Sequence, residues 1–256
     1  MTTEEKIKYA SWLSRVGLLR MGAIRQSCVA AAKITTEVLR SLGVQARPIT
    51  ASVLVATDGW LKAMEENGGP PKSPDELKGW WDTHRAYSLG VMYDPIPQAG
   101  AWNAHMIVLA GPGQSYLVDP SIDQLSCPQR DLPLEPLVFD MSGQDVFSQL
   151  EFRRGRTQAV SHWSPDEAGQ GFIIVHSVFP ADRSFRKLND FRMFEHRYGD
   201  MARSIAQTIQ RMDELKLTGH TLPPLPPLPD APDDPSLRAQ DRTPEYLSRL
   251  RQTADG

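Results

Sequence analysis

SCVAAAKITTEVLRSLGVQARPITASVLVAT, residues 27–57, changes its period once along its length. Ala31, Thr35, Val38, Leu39 and Leu42 recur at helical spacing, and Gly43 then supplies a stop. From Gln45 the run turns β-branched, so 45–57 reads as a strand that closes in an Asp58-Gly59 turn. Ser27 stands in the N-cap position, which puts Cys28 in the first turn of the helix. A helix running straight into a strand sets the class as α/β in the broad sense, α+β in detail.

Working outward, Ile7, Ala10, Leu13, Val16 and Leu18 predict a first helix with Thr2 or Thr3 as its cap. Residues 58–101 are rich in Gly, Pro and charge and read as an insertion or long loop at the site, with one short helix over 74–85. NAHMIVLAGPGQSYLVDPSIDQ, 103–124, reads as an antiparallel hairpin about Gly-Pro-Gly. Between 128 and 170 only PLVF suggests a strand, and GFIIVHSVF, 171–179, is the next clear one. Helix is expected from about Arg183 to Leu217, interrupted near Tyr198-Gly199. The spacing predicts one domain over 1–217 and a Pro-rich, extended, mobile tail over 218–256.

The chain has 256 residues, 40% of them apolar, enough for an ordinary core. A formal net charge of -3 gives no electrostatic reason to bind nucleic acid or an anionic membrane surface. RSFRKLNDFRMFEHRYGDMAR is basic, yet Asp190, Glu195 and Asp200 interleave, as on a solvated helix face. The first residues lack a secretory apolar region and no later segment approaches a membrane span, so a cytoplasmic protein is expected. Cys28 and Cys127 are then expected as thiols, without a zinc-ligand pattern. No P-loop, GxGxxG or HExxH occurs, so no cofactor or metal is expected. The sequence sets no oligomeric state.

Three residues carry the chemistry: Cys28 at a helix start, His105 on one strand and Asp119 at the end of the next. A helix N-terminus and an adjacent imidazolium both favour a thiolate, and a carboxylate would fix the tautomer of the imidazole. A hairpin closed at 111–113 pairs position 105 with 119, on one face of the sheet. Each residue also has a plain structural reading. Cys28 is also legible as a small buried hydrophobe, His105 as a core histidine, and Asp119 as a strand terminator. Asp123 and Asn103 are the nearest substitutes for the carboxylate.

The order helix-start Cys28, LGVQARPITASVLV, AHMIVL, YLVDPSID resembles the transglutaminase-like branch of the papain-like cysteine enzyme superfamily, in three short blocks over about 20–125. The resemblance implies a helix bearing the cysteine packed on an antiparallel sheet, with Cys28 as nucleophile, His105 as base and Asp119 as orienting carboxylate. It implies amide hydrolysis or acyl transfer on a peptide or protein substrate. Ser27, Val29, Met106 and Ile107 depart from the residues usual around the nucleophile and base, and Gly22 stands where papain-like enzymes place a glutamine. Gln26 and the Cys28 N–H are the oxyanion-hole candidates. Trp102, Trp80 and Trp81, with His84, are candidates to line a substrate cleft. An arylamine N-acetyltransferase-like acyl carrier and a catalytically silent scaffold are the competing readings.

Overall fold

The structure, a computed structural model, describes residues 1–23, 27–93, 102–130, 132–141, 157–163 and 171–229. Helix α1 (Thr3–Arg20) opens on a capping box, in which Thr2 accepts from the Glu5 N–H and the Glu5 carboxylate from the Thr2 N–H. Helix α2 (Cys28–Ser41) leads into strand β1 (Ala46–Thr57), as the change of period requires. The expected turn at Asp58-Gly59 is instead the start of α3 (Asp58–Asn67). Thr57 Oγ1 accepts from the Trp60 N–H, and Asp58 lies favourably at the positive end of the helix dipole. Helix α4 (Pro74–His84) is capped by Ser73 and begins on a proline suited to its first turn. Strand β2 (Ser88–Val91) follows, so most of the expected loop region is two helices and a strand.

Strands β3 (His105–Ala110), β4 (Tyr116–Asp119) and β5 (Leu137–Asp140) include the expected hairpin and the short strand at PLVF, and β4 pairs with β5 to make them a meander. Strand β6 (Thr157–Trp163) was not legible among its polar neighbours, and β7 (Phe172–Phe179) matches the expected run. A short α5 (Asn189–Arg192) precedes α6 (Phe194–Leu217). The expected interruption at Tyr198-Gly199 does not occur, because that face of α6 is buried: Tyr198, Ala202, Ile205 and Ile209 continue its apolar stripe.

The sheet is antiparallel and curls into a half-barrel, in the order β5-β4-β3-β1-β7-β6. Strand β1 pairs β7 along one edge; along the other, β3 pairs its first half and β2 its second. On one face Met106, Val108, Ala110 and Val118 lie under α1, α2 and α6, against Ile34, Val38, Leu39 and Ile209. The other face carries Ile49, Ala51, Ile107, Leu109, Leu117 and Val178, and beyond them Val53, Val55 and Ile174 beneath Ile122, Leu125 and Leu132. A mixed α+β class follows, with α2 packed on an antiparallel sheet.

The first part of the expected mobile tail is docked. Leu222, Leu225 and Leu228 are half-buried, while Pro223, Pro224 and Pro227 face solvent. That period of three is the period of an extended proline-rich chain. Leu222 and Leu225 pack on the α1–α2–α6 core, and the Pro223 and Pro226 carbonyls accept from Tyr9 Oη and Trp12 Nε1. Residues 230–256 lie outside the described residues. Among the described residues, no helix is long and apolar enough to cross a membrane.

Candidate active site

Three element ends meet at the site. His105 is the first residue of β3, at the seam where β2 gives way to β3 beside β1; Asp119 is the last of β4; Cys28 is the first of α2. The hairpin ladder pairs Val108 with Val118 and Ala110 with Tyr116, two residues away from the expected register. The connection is longer than a tight turn, with left-handed backbone at Gly111, Gly113 and Gln114. Because the slip is even, the face is kept. Asp119 becomes a diagonal neighbour of His105 instead of a direct one, within reach of an imidazole.

His105 Nε2 donates to Asp119 Oδ2 at 2.8 Å. The same ring is hydrogen-bonded to the thiol of Cys28. With Nε2 engaged by the carboxylate, Nδ1 is the nitrogen left for sulfur. Cys28, His105 and Asp119 are all buried, with 8%, 3% and 0% of their surface exposed. Burial works against charge on both partners. For His105 burial would lower the pKa, but the Asp119 charge and hydrogen bond, with a smaller contribution from Cys28, push it up to about 10. For Asp119 burial would raise the pKa, but the charge and hydrogen bond of His105, then those of His176, hold the carboxyl well below its usual range. The resting pair is therefore imidazolium and carboxylate at neutral pH.

The sequence reading missed His176. It lies on β7, buried, and its Nε2 donates to the same Asp119 Oδ2 at 2.9 Å. The Ser121 N–H donates to Oδ1 at 3.2 Å, so both carboxylate oxygens are bonded. The signal was local: Ile174, His176 and Val178 share one face of an apolar strand, so the imidazole points inward. Its partner was not local. Only the strand order, with β1 setting Ala51 beside His105 and Val53 beside His176, brings the two histidines together. Both rings converge on the oxygen itself, and no metal-holding group of three or more His, Cys, Asp or Glu occurs among the described residues.

Ser27 does not cap α2. Its hydroxyl accepts from Arg15 Nη1 at 2.8 Å, and its N–H donates to Gln124 Oε1 at 3.3 Å. Arg15, buried on α1, also grips Asp123 with Nε and Nη2 at 2.7 to 2.8 Å. Thus Asp123, a substitute candidate for the carboxylate, belongs to an ion pair that fixes the start of α2. Burial pushes its carboxyl up despite Arg15. Asn103 is exposed. Of the oxyanion candidates, Gln26 lies outside the described residues, and the Cys28 N–H opens α2 without a side-chain cap.

The tryptophans separate. Trp102 packs against the cluster that contains Cys28, its Nε1 donating to Ser184 Oγ at 3.0 Å. Trp80 is buried between α3 and α4, edge-on to Trp60 at 5.6 Å, a core position and not a cleft lining. Trp81 lies under the guanidinium groups of Arg85 and Arg130 at 4.1 and 4.2 Å, and His84 pairs with Glu66. Cys127 is buried in a different cluster from Cys28, and no disulfide joins them. The chain matches no protein-family model, no curated protein and no solved structure.

Proposed function

We propose that the chain is a cysteine-dependent acyl-transfer or amide-hydrolysing enzyme built on a transglutaminase-like, papain-like core, with Cys28 as nucleophile, His105 as acid and base, and Asp119 as the orienting carboxylate. One observation carries this reading: a single imidazole is hydrogen-bonded both to Asp119, through Nε2, and to the Cys28 thiol. That order of contacts is what nucleophilic catalysis by a weak acid needs.

In the mechanism that follows, the sulfur of Cys28 attacks an amide or thioester carbonyl, forming a C–S bond as the carbonyl electron pair moves to oxygen. Collapse of that intermediate breaks the bond to the leaving group, which takes the proton from His105 Nδ1. A thioester to Cys28 remains. Water or an amine then gives its proton to Nδ1 as it attacks, and the C–S bond breaks to restore the thiolate. Water gives hydrolysis and an amine gives transfer. Asp119 keeps Nε2 protonated throughout, so Nδ1 is the nitrogen that exchanges protons. The Cys28 N–H is the donor available to the developing oxyanion.

The test is iodoacetamide labelling at mildly acidic pH with peptide mapping by mass spectrometry. Cys28 is expected to react at least about tenfold faster than Cys127, because His105 lies against its sulfur. His105→Gln should remove the difference. Equal, slow labelling of both thiols in the unaltered protein defeats the proposal.

A further inference from the structure

A triad needs one histidine on its carboxylate, and this site has two. We infer that His176 is a positioning residue, a standing hydrogen-bond donor that keeps Asp119 ionised and aimed at His105 through the part of the cycle in which His105 is uncharged. The inference rests on the catalytic reading of Cys28 and His105, but its geometry stands apart from it.

Asp119 is fully buried, and among the described residues its bonds are the two imidazoles on Oδ2 and the Ser121 N–H on Oδ1. While His105 carries a proton on each nitrogen, its charge compensates the carboxylate. Once Nδ1 has delivered its proton to the leaving group, that compensation is gone and the buried carboxylate depends on its remaining hydrogen-bond donors. His176 Nε2–H is the stronger of the two that do not take part in proton transfer, at 2.9 Å against 3.2 Å for the Ser121 N–H. Among the described residues, the neighbouring Arg15 is already committed to Asp123 and to Ser27. Asp123 itself adds repulsion toward Asp119. His176 is placed for this role by β7, which is paired to β1 so that Val53 faces it and Ala51 faces both Val178 and His105. Its ring is therefore fixed on the same face as His105, across one strand.

The consequence is directional. Without His176 the Asp119 carboxyl loses one donor and its pKa rises toward the ordinary carboxylate range, so the carboxylate that supports the His105 imidazolium is lost at a higher pH than before. A charge-assisted hydrogen bond of this kind corresponds to a shift of about one pH unit. Packing loss alone would slow the reaction by the same factor at every pH.

The experiment is the rate of Cys28 alkylation by iodoacetamide from pH 2.5 to 8 in the full chain, for the unaltered protein, His176→Gln and His176→Leu. Glutamine keeps an N–H donor and leucine keeps only bulk. The acid limb of the profile is expected to move to higher pH by about one unit in His176→Leu and to stay near its original place in His176→Gln. Superposable profiles, or one uniform factor across the range, overturn the inference. Should His176→Leu fail to fold, proton NMR of the unaltered protein decides: two strongly downfield, exchange-protected ring N–H signals are expected, of which His176→Gln removes one. A single such signal in the unaltered protein refutes the shared oxygen. An unreactive Cys28 alongside both signals would sink the catalytic proposal and this inference with it, leaving the hydrogen bonds as structure alone.

Discussion

At the scale of single residues, the pH dependence of folding follows from two opposed shifts. His105 has a folded pKa of about 10 against an ordinary 6.5, so its contribution is complete below about pH 6.5 and is lost as pH rises through 10. Asp119 has a folded pKa below the ordinary 3.8, so its contribution is complete above about pH 3.8 and is lost as pH falls below it. Urea unfolding is expected to show falling stability between pH 6.5 and 10 in the unaltered protein, and His105→Gln should lack most of that alkaline limb. An unchanged limb in the variant would assign it to other groups. Asp119→Ala, which strands a buried imidazolium, should cost about 3–5 kcal/mol at pH 6. These residues were unequally legible. Cys28, His105 and Asp119 announce themselves by type and order, whereas His176 and Arg15 owe their roles to partners 57 and 108 residues away that no local pattern displays.

At the scale of elements, helix starts and apolar periods were readable, and the misreadings came from residues whose local preference was overruled. Asp58-Gly59 favours a turn by type, yet Thr57 as an N-cap turns it into the first turn of α3. Gly199 suggests a break, yet the buried stripe of α6 carries the helix through it. The proline-rich run was read from composition alone, when the spacing of its leucines was the informative feature. Two glycines make the point measurable. The nearest atoms to a Cβ on Gly199 would be those of the flexible, exposed end of Glu195, at 2.7 to 3.0 Å, and that carboxylate can swing away at the cost of a surface pair with Arg203. Gly199→Ala should therefore stabilise the protein by about 0.5 kcal/mol, the helix-propensity gain less the surface pair. On α1, a Cβ on Gly17 would clash with Met201 Sδ, where α1 meets α6. Gly17→Ala should destabilise by about 1–3 kcal/mol through overpacking. Urea midpoints of the two variants check the opposite signs.

At the scale of the whole molecule, what the sequence withheld was the order of strands. The hairpin is local and could be read to within two residues, but β7 lying beside β1, and β2 sharing an edge with β3, are long-range pairings whose loop-closure entropy is offset only when the sheet assembles. The same topology divides the molecule by stability. Helices α1, α2 and α6 share one continuous core with the sheet, whereas α3 and α4 pack mainly on each other around Ala63, Trp80 and Ala86, with smaller ties to the sheet through β1, the Gly171 carbonyl and Trp81. A helix pair with so small a core should open by local unfolding well before the sheet does. Hydrogen exchange followed by mass spectrometry is therefore expected to show 58–84 exchanging at least about tenfold faster than 28–41 and 105–110, and to do so without loss of Cys28 reactivity, since the described groups of the site come from α2, β3, β4, β7 and the Ser121 N–H, and the pair that fixes the start of α2 from α1 and Asp123. Equal protection of 58–84 and the central strands would mean that the helix pair is part of the cooperative core, and the site's independence from it would fall with that result.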